Sequence, residues 1–144
     1  MHNQGRTKNW GCNSMKVVWT NGCFDVLHRG HIELFKYAKS LGDYLVVGID
    51  TDERVRAAKG ALRPFNTIED RVAMLESIKY IDEIRVFDAN DELDTQVLLS
   101  DAEIMVVGSD YKNKEVIGSR HVQEVKFFDR IDGYSTTKIL VGLQ

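Results

Sequence analysis

Residues 20–31 read Thr20-Asn21-Gly22-Cys23-Phe24-Asp25-Val26-Leu27-His28-Arg29-Gly30-His31. The stretch grows out of Val17-Val18-Trp19-Thr20, a short β-type run that Asn21-Gly22 stops. From His31 the period changes. Ile32, Phe35, Ala38 and Leu41 fall at helix spacing, and Gly42 stands where such a helix would end. The segment is therefore a strand–turn–helix junction. Gly22 and Gly30 predict tight turns and close approach of a ligand to the backbone. A helix N-terminus offers free N–H groups and a partial positive charge, which suits phosphate. His28 and His31 flank that point with ring nitrogens able to donate to phosphate oxygens. The bland reading is a turn with two incidental histidines, and the placement at the junction favours function over it. A zinc site needs further ligands, and none stands nearby at suitable spacing.

Working outward, Tyr44 to Ile49 is nearly continuous apolar, as a strand covered on both faces would be. Thr67 is placed as an N-cap with Asp70 three residues on, and Val72, Leu75 and Ile78 share one helical face. Ile84–Phe87 reads as a strand, Leu93–Leu99 as a short helix, and Ile104–Val107 as a strand ended by Gly108. Val125–Phe128 is the last strand, and Ser135 caps a closing helix to Leu140. Strands alternating with helices predict an α/β domain: a Rossmann-like, doubly wound parallel sheet with helices on both faces. Such sheets bind ligands at the carboxyl ends of their strands, near the switch in strand order. Pro64, the only proline, sits in a polar loop, and no linker, repeat or low-complexity segment divides the chain. Residues 15–144 therefore form one domain. Residues 1–14 are polar and without periodicity, and are set aside as a mobile leader preceding Met15.

The 144 residues suffice for one core, with 43% hydrophobic and 28% charged residues. A net charge of −3 gives no global field for nucleic acid or an anionic membrane, so any bound anion needs a local cluster of donors. No apolar run reaches the ~20 residues of a membrane span. Two cysteines, Cys12 and Cys23, are too few for a disulfide framework and agree with a reducing cytoplasm. Cys23 reads as a small packing residue rather than a reactive thiol.

The His28-Arg29-Gly30-His31 motif, with Leu41-Gly42-Asp43 and Ser135-Thr136-Thr137 after it in order, resembles the cytidylyltransferase-like nucleotidyltransferases of the HIGH-motif superfamily. The similarity runs along nearly the whole chain from Met15. Lys59-Gly60, Arg63-Pro64, Asn66, Gly108, Asp110-Tyr111 and Gly118-Ser119 resemble the heptose 1-phosphate adenylyltransferase type, the nucleotidyltransferase part of ADP-heptose synthases. Arg130, Gly133 and Ser135-Thr136-Thr137 resemble the Arg-x-x-Gly-x-Ser-Thr-Thr motif of glycerol-3-phosphate cytidylyltransferase, and Ser109 departs from the glycine of the heptose type. The several separated heptose-type features favour ATP and a sugar-phosphate acceptor. CTP with glycerol 3-phosphate is the alternative, and a nucleotide-binding module without catalysis is the alternative of another class.

The resemblance implies a reaction and roles. An oxygen of the acceptor's phosphate attacks the α-phosphorus in line with departing pyrophosphate, so positioning and charge stabilisation carry the catalysis. His28 and His31 fall to the triphosphate, Lys59 to its outer phosphates or to the acceptor, and Arg130 adds a positive fork. The turn Asn21, Gly22, Cys23, Phe24 and Asp25, with Gly30, surrounds the nucleotide, and Asp25 fixes the glycine turn or orients a histidine. Gly108, Asp110 and Tyr111 belong to base and ribose. Ser135, Thr136 and Thr137 face phosphate at a second helix N-terminus. Arg71 binds phosphate or acceptor, or else pairs with Glu69 or Glu76 on the surface. Lys59 as a solvated loop lysine and Tyr111 as a packing aromatic remain open. Magnesium accompanies the nucleotide without a dedicated protein cage, and a homodimer is expected.

Overall fold

The computed structural model of the chain describes residues 15–131 together with Gly133, Ser135, Ile139 and Leu140. The leader 1–14, Thr136 and Thr137 lie outside these residues. Five strands, β1 (Val17–Gly22), β2 (Tyr44–Asp50), β3 (Glu83–Phe87), β4 (Ile104–Gly108) and β5 (Glu124–Phe128), form one parallel sheet in the order β3-β2-β1-β4-β5. Four helices connect them: α1 (Arg29–Ser40), α2 (Asp52–Lys59), α3 (Ile68–Glu76) and α4 (Asn90–Ser100). The chain winds outward from β1 to β3, then returns to lay β4 on the other side of β1. That reversal between β1 and β4 is the switch point of a doubly wound sheet.

The strands divide their side chains by the period of two. Val18, Leu45, Val47, Ile49, Ile104 and Val106 pack on one face with Phe24, Phe35 and Ala38 of the α1 region and Leu75 of α3. Val17, Trp19, Val46, Phe87 and Met105 pack on the other with Leu93 and Val97 of α4 and with Ala102. Strand β1 lies at the centre, and Val18 and Trp19 are fully buried. Trp19 needs space from its neighbour: a Cβ on Gly48 of β2 would stand 2.5 Å from the Trp19 ring and 3.0 Å from Phe87. Its indole N–H, buried with it, donates to Asn21 Oδ1 at 2.9 Å.

Two helices differ from the sequence expectation. α2 occupies what reads as a loop. It buries only Val55, so no apolar stripe announces it. Its ends hold it instead: Thr51 Oγ accepts from Arg54 N at 3.2 Å, acids fill the first turn, and Arg56 and Lys59 fill the last. Gly60, at φ +108°, stops it in a conformation that glycine adopts without strain. α4 starts three residues before Leu93, where the Glu92 carboxylate accepts from Asp88 N at 2.7 Å and Ala89 N at 3.0 Å. Ile139 N–H donates to Ser135 O at 3.1 Å, and residues 136–138 of the closing helix expected from Ser135 to Leu140 lie outside the described residues. Among the described residues no helix is long and apolar enough to cross a membrane.

Candidate active site

The turn after β1 begins with an unexpected residue. Neither Gly22 nor Gly30 has a positive φ; the left-handed position is Phe24, at φ +46°. A bulky residue there is strained, and such strain persists only where the surroundings over-determine it. Here the ring is buried and packs edge-on against His31 at 5.5 Å and Phe35 at 5.0 Å. Gly22 makes room for it: a Cβ there would meet the Phe24 ring at 3.1 Å. The role expected of Gly22, a glycine turn, is thus replaced by space for a neighbour's ring.

α1 is capped by histidines. His28 is the N-cap in extended conformation, and its Nδ1 accepts from Gly30 N at 3.0 Å. His31, three residues on, accepts in return from His28 N through its own Nδ1 at 3.2 Å. The two rings stack at 3.9 Å. Both Nδ1 atoms are therefore acceptors, which places the proton of each neutral ring on Nε2. Burial, and then the neighbouring His28, pushes the His31 pKa down to about 4. Burial, and then the charge of Arg130, lowers that of His28. At neutral pH the motif is a pair of Nε2–H donors at a helix N-terminus.

These rings line a cleft of about 340 Å³ at the carboxyl edge of the sheet. Going along the strand order, Lys59 and Arg63 follow β2, and Cys23, His28, Gly30 and His31 follow β1. Gly108 ends β4 and Asp110 follows it, and Arg130, Ile131 and Ser135 follow β5. Leu34 and Phe128 supply apolar wall. Among the described residues, Lys59 and Arg130 have no carboxylate within ion-pair distance. Lys59 stands at the end of α2 rather than in a loop.

Asn21, Gly22, Phe24, Asp25, Arg71 and Tyr111 do not line the cleft. Tyr111 is 46% exposed, with the Lys114 amine 5.5 Å from its ring centre. Asp25 is buried and serves a different loop from the one expected. Its carboxylate accepts from Phe65 N, Asn66 N and Arg63 Nε, each at 2.8 Å. Burial, the largest single influence, raises its pKa, but the Asn66 and Phe65 amides and Arg63 together outweigh it and the net shift is downward. Arg71 neither lines the cleft nor pairs with Glu69 or Glu76. It is 1% exposed and donates to Cys23 O at 2.9 Å, Asp50 O at 2.8 Å, Asn66 O at 3.1 Å and Asp52 Oδ1 at 2.6 Å. It ties together the ends of β1 and β2, the start of α2 and the turn before α3, a framework role in place of the ligand role expected. Arg63 is the cleft cation that sequence reasoning left without a role. The Arg63-Pro64 pair stood out as a family feature, but nothing local shows that this loop folds back onto Asp25, 38 residues earlier.

The model of the cytidylyltransferase-like family matches residues 19–141. The chain belongs to this family. The bifunctional protein HldE of Wolinella succinogenes is 40% identical over 137 residues, covering 95% of this chain and 29% of that protein. The HldE of Campylobacter fetus is 45% identical over 124 residues, 86% of this chain and 27% of that one. The chain thus spans a little over a quarter of the length of these curated relatives. Among solved structures, a lipopolysaccharide core biosynthesis protein from Thermoplasma volcanium superposes with a TM-score of 0.70 at 28% identity, over 83% of this chain and all of that one. Pantothenate synthetase from Thermus thermophilus shares the fold alone, with a TM-score of 0.56 at 15% identity over 81% of this chain and 56% of that one. The family expected from the three ordered motifs and the Rossmann-like fold are both as found.

Proposed function

We propose that this chain is a nucleotidyltransferase that moves an adenylyl group from ATP to a sugar phosphate such as heptose 1-phosphate, releasing pyrophosphate. The observation that carries the reading is the concentration of anion donors around one cleft, of which Lys59 and Arg130 have no carboxylate within ion-pair distance among the described residues. Lys59, Arg130 and the two Nε2–H groups face a chain whose net charge is −3. A cleft lined in this way suits several phosphates at once. An oxygen of the acceptor's phosphate forms a bond to the α-phosphorus as the bond from that phosphorus to the bridging oxygen of pyrophosphate breaks. The acceptor phosphate is already a nucleophile, so no side chain need remove a proton. His28 and His31 donate to oxygens that gain charge, and Arg130 and Lys59 add fixed positive charge. Asp110, Tyr111 and Gly108 are assigned to base and ribose, and Ser135 with Thr136 and Thr137 to phosphate.

Magnesium fits as a companion of the triphosphate rather than a resident ion. Among the described residues no group of three or more His, Cys, Asp or Glu side chains is arranged to hold a metal, and the cleft offers the Asp110 carboxylate beside its cations. When bound it neutralises phosphate charge. A homodimer in the cytoplasm is the assembly and setting we infer from the family.

The sugar-phosphate acceptor is supported by the heptose-type residues around Lys59 and Arg63, by the HldE relatives and by the Thermoplasma protein's description. CTP with glycerol 3-phosphate is the second reading, favoured by the place of Arg130 in the cleft. Pyrophosphate release with magnesium, crossing ATP and CTP against heptose 1-phosphate and glycerol 3-phosphate, tests both. Turnover with ATP and heptose 1-phosphate is expected, and turnover with CTP and glycerol 3-phosphate would reverse the order. ATP binding without pyrophosphate release in any combination would make the chain a binding module.

A further inference from the structure

Arg63 is held more firmly than a surface ion pair requires, and its free end points to a task. Its side chain is 13% exposed and lines the cleft, while the Asp25 side chain that accepts its Nε is fully buried. Asp25 does not need Arg63 to fasten the loop, because Phe65 N and Asn66 N already reach both of its oxygens. Asn66 is pinned from two further sides: its Nδ2 donates to Asp25 O at 2.8 Å, and its carbonyl accepts from the buried Arg71. The backbone that carries Arg63 is therefore set before any ligand arrives. Among the described residues its two terminal nitrogens make no hydrogen bond. A guanidinium fixed through Nε keeps its Nη fork for a second partner, and that fork matches two oxygens of a phosphate.

The strand order says which phosphate. Arg63 and Lys59 follow β2, whereas Asp110, Arg130 and Ser135 follow β4 and β5, with the histidine pair after β1 between the two groups. Nucleotides in doubly wound sheets occupy the crevice at the switch, here between β1 and β4. In-line transfer requires the incoming oxygen to approach the α-phosphorus opposite the leaving group. We propose that Arg63 is the ligand of the acceptor's phosphate monoester, with Asp25 as the positioning residue that aims it. The proposal rests on the reading above, in which a phosphorylated acceptor meets a nucleoside triphosphate.

The test separates binding from turnover. Wild type, R63M and R63K are titrated calorimetrically with heptose 1-phosphate and, separately, with ATP and magnesium, after thermal unfolding has established that all three are folded. R63M is expected to weaken heptose 1-phosphate at least tenfold and to leave ATP within twofold. R63K, whose single ammonium cannot serve Asp25 and a two-oxygen partner together, is expected to recover only part of the loss. An equal loss of ATP affinity, unchanged acceptor binding in R63M, or full recovery in R63K would overturn the assignment, as would failure of wild type to bind the acceptor. Wild type that binds both ligands but releases no pyrophosphate would defeat the catalytic reading alone. The acceptor-specific loss in R63M would then still support Arg63 as the phosphate ligand.

Discussion

His28 and His31 are helix caps, and the donor role proposed for them depends on those caps. Protonating either ring at Nδ1 destroys a cap hydrogen bond, so the neutral Nε2–H form is favoured by geometry as well as burial. Nitrogen-15 NMR of the imidazoles should show both rings as Nε2–H tautomers, with His31 titrating near 4 rather than at the ordinary 6.5; a midpoint at the ordinary value would refute the arrangement. Because the folded-state value lies below the unfolded one, the unfolded chain binds the extra proton. Stability is fully present above 6.5 and is lost as pH falls toward 4, by about 3 kcal/mol at His31. Asparagine at position 28 can still cap the helix. H28N should therefore cost under ~1 kcal/mol of stability yet lower kcat by about 10²–10³. Urea unfolding and single-turnover kinetics read the two separately. Arg71 carries the opposite prediction. R71M leaves Cys23 O, Asp50 O and Asn66 O without their donor and Asp52 without its pair, at a cost of about 3–5 kcal/mol in urea unfolding. A loss below ~1 kcal/mol would show that the framework does not depend on it.

At the scale of elements, the parallel strands were the most legible part of the chain. Tyr44–Ile49 and Ile104–Val107 are apolar runs because both of their faces are covered, and a run of that kind has few other uses. α2 was not legible, since a helix that buries only Val55 carries no period to read and depends on Thr51, its terminal charges and Gly60. The sheet's tolerance is equally local. Gly48 faces the Trp19 ring, so G48A should overpack the core and lower stability by about 1–3 kcal/mol. Thermal unfolding measures it, and a neutral outcome would mean that Trp19 can shift without cost. The pairing W19F with G48A should recover part of the loss, because the smaller ring removes the contact.

On the scale of the whole molecule, a net charge of −3 coexists with a cleft whose lining is rich in cations. Such a local field attracts anions yet is screened by salt. The KM for ATP should therefore rise several-fold between about 50 and 200 mM salt while kcat changes little, and a salt-independent KM would remove the electrostatic account of the cleft. What the amino-acid sequence determined by itself was whatever depends on neighbours along the chain. That includes the alternation of strands and helices, the His28–His31 pair at a strand–helix junction, and the ordered motifs that mark the family. What only the tertiary structure decided depends on distant segments meeting. Arg71 reads as a phosphate or acceptor ligand, or else a surface ion pair, until Cys23 O and Asp50 O, 48 and 21 residues away, enclose it. Arg63 reads as one residue of a loop until Asp25 takes its Nε and holds the side chain beside the cleft. A side chain's role follows from which partners desolvate and aim it, and in a parallel sheet those partners arrive from other strand ends that local sequence does not bring together.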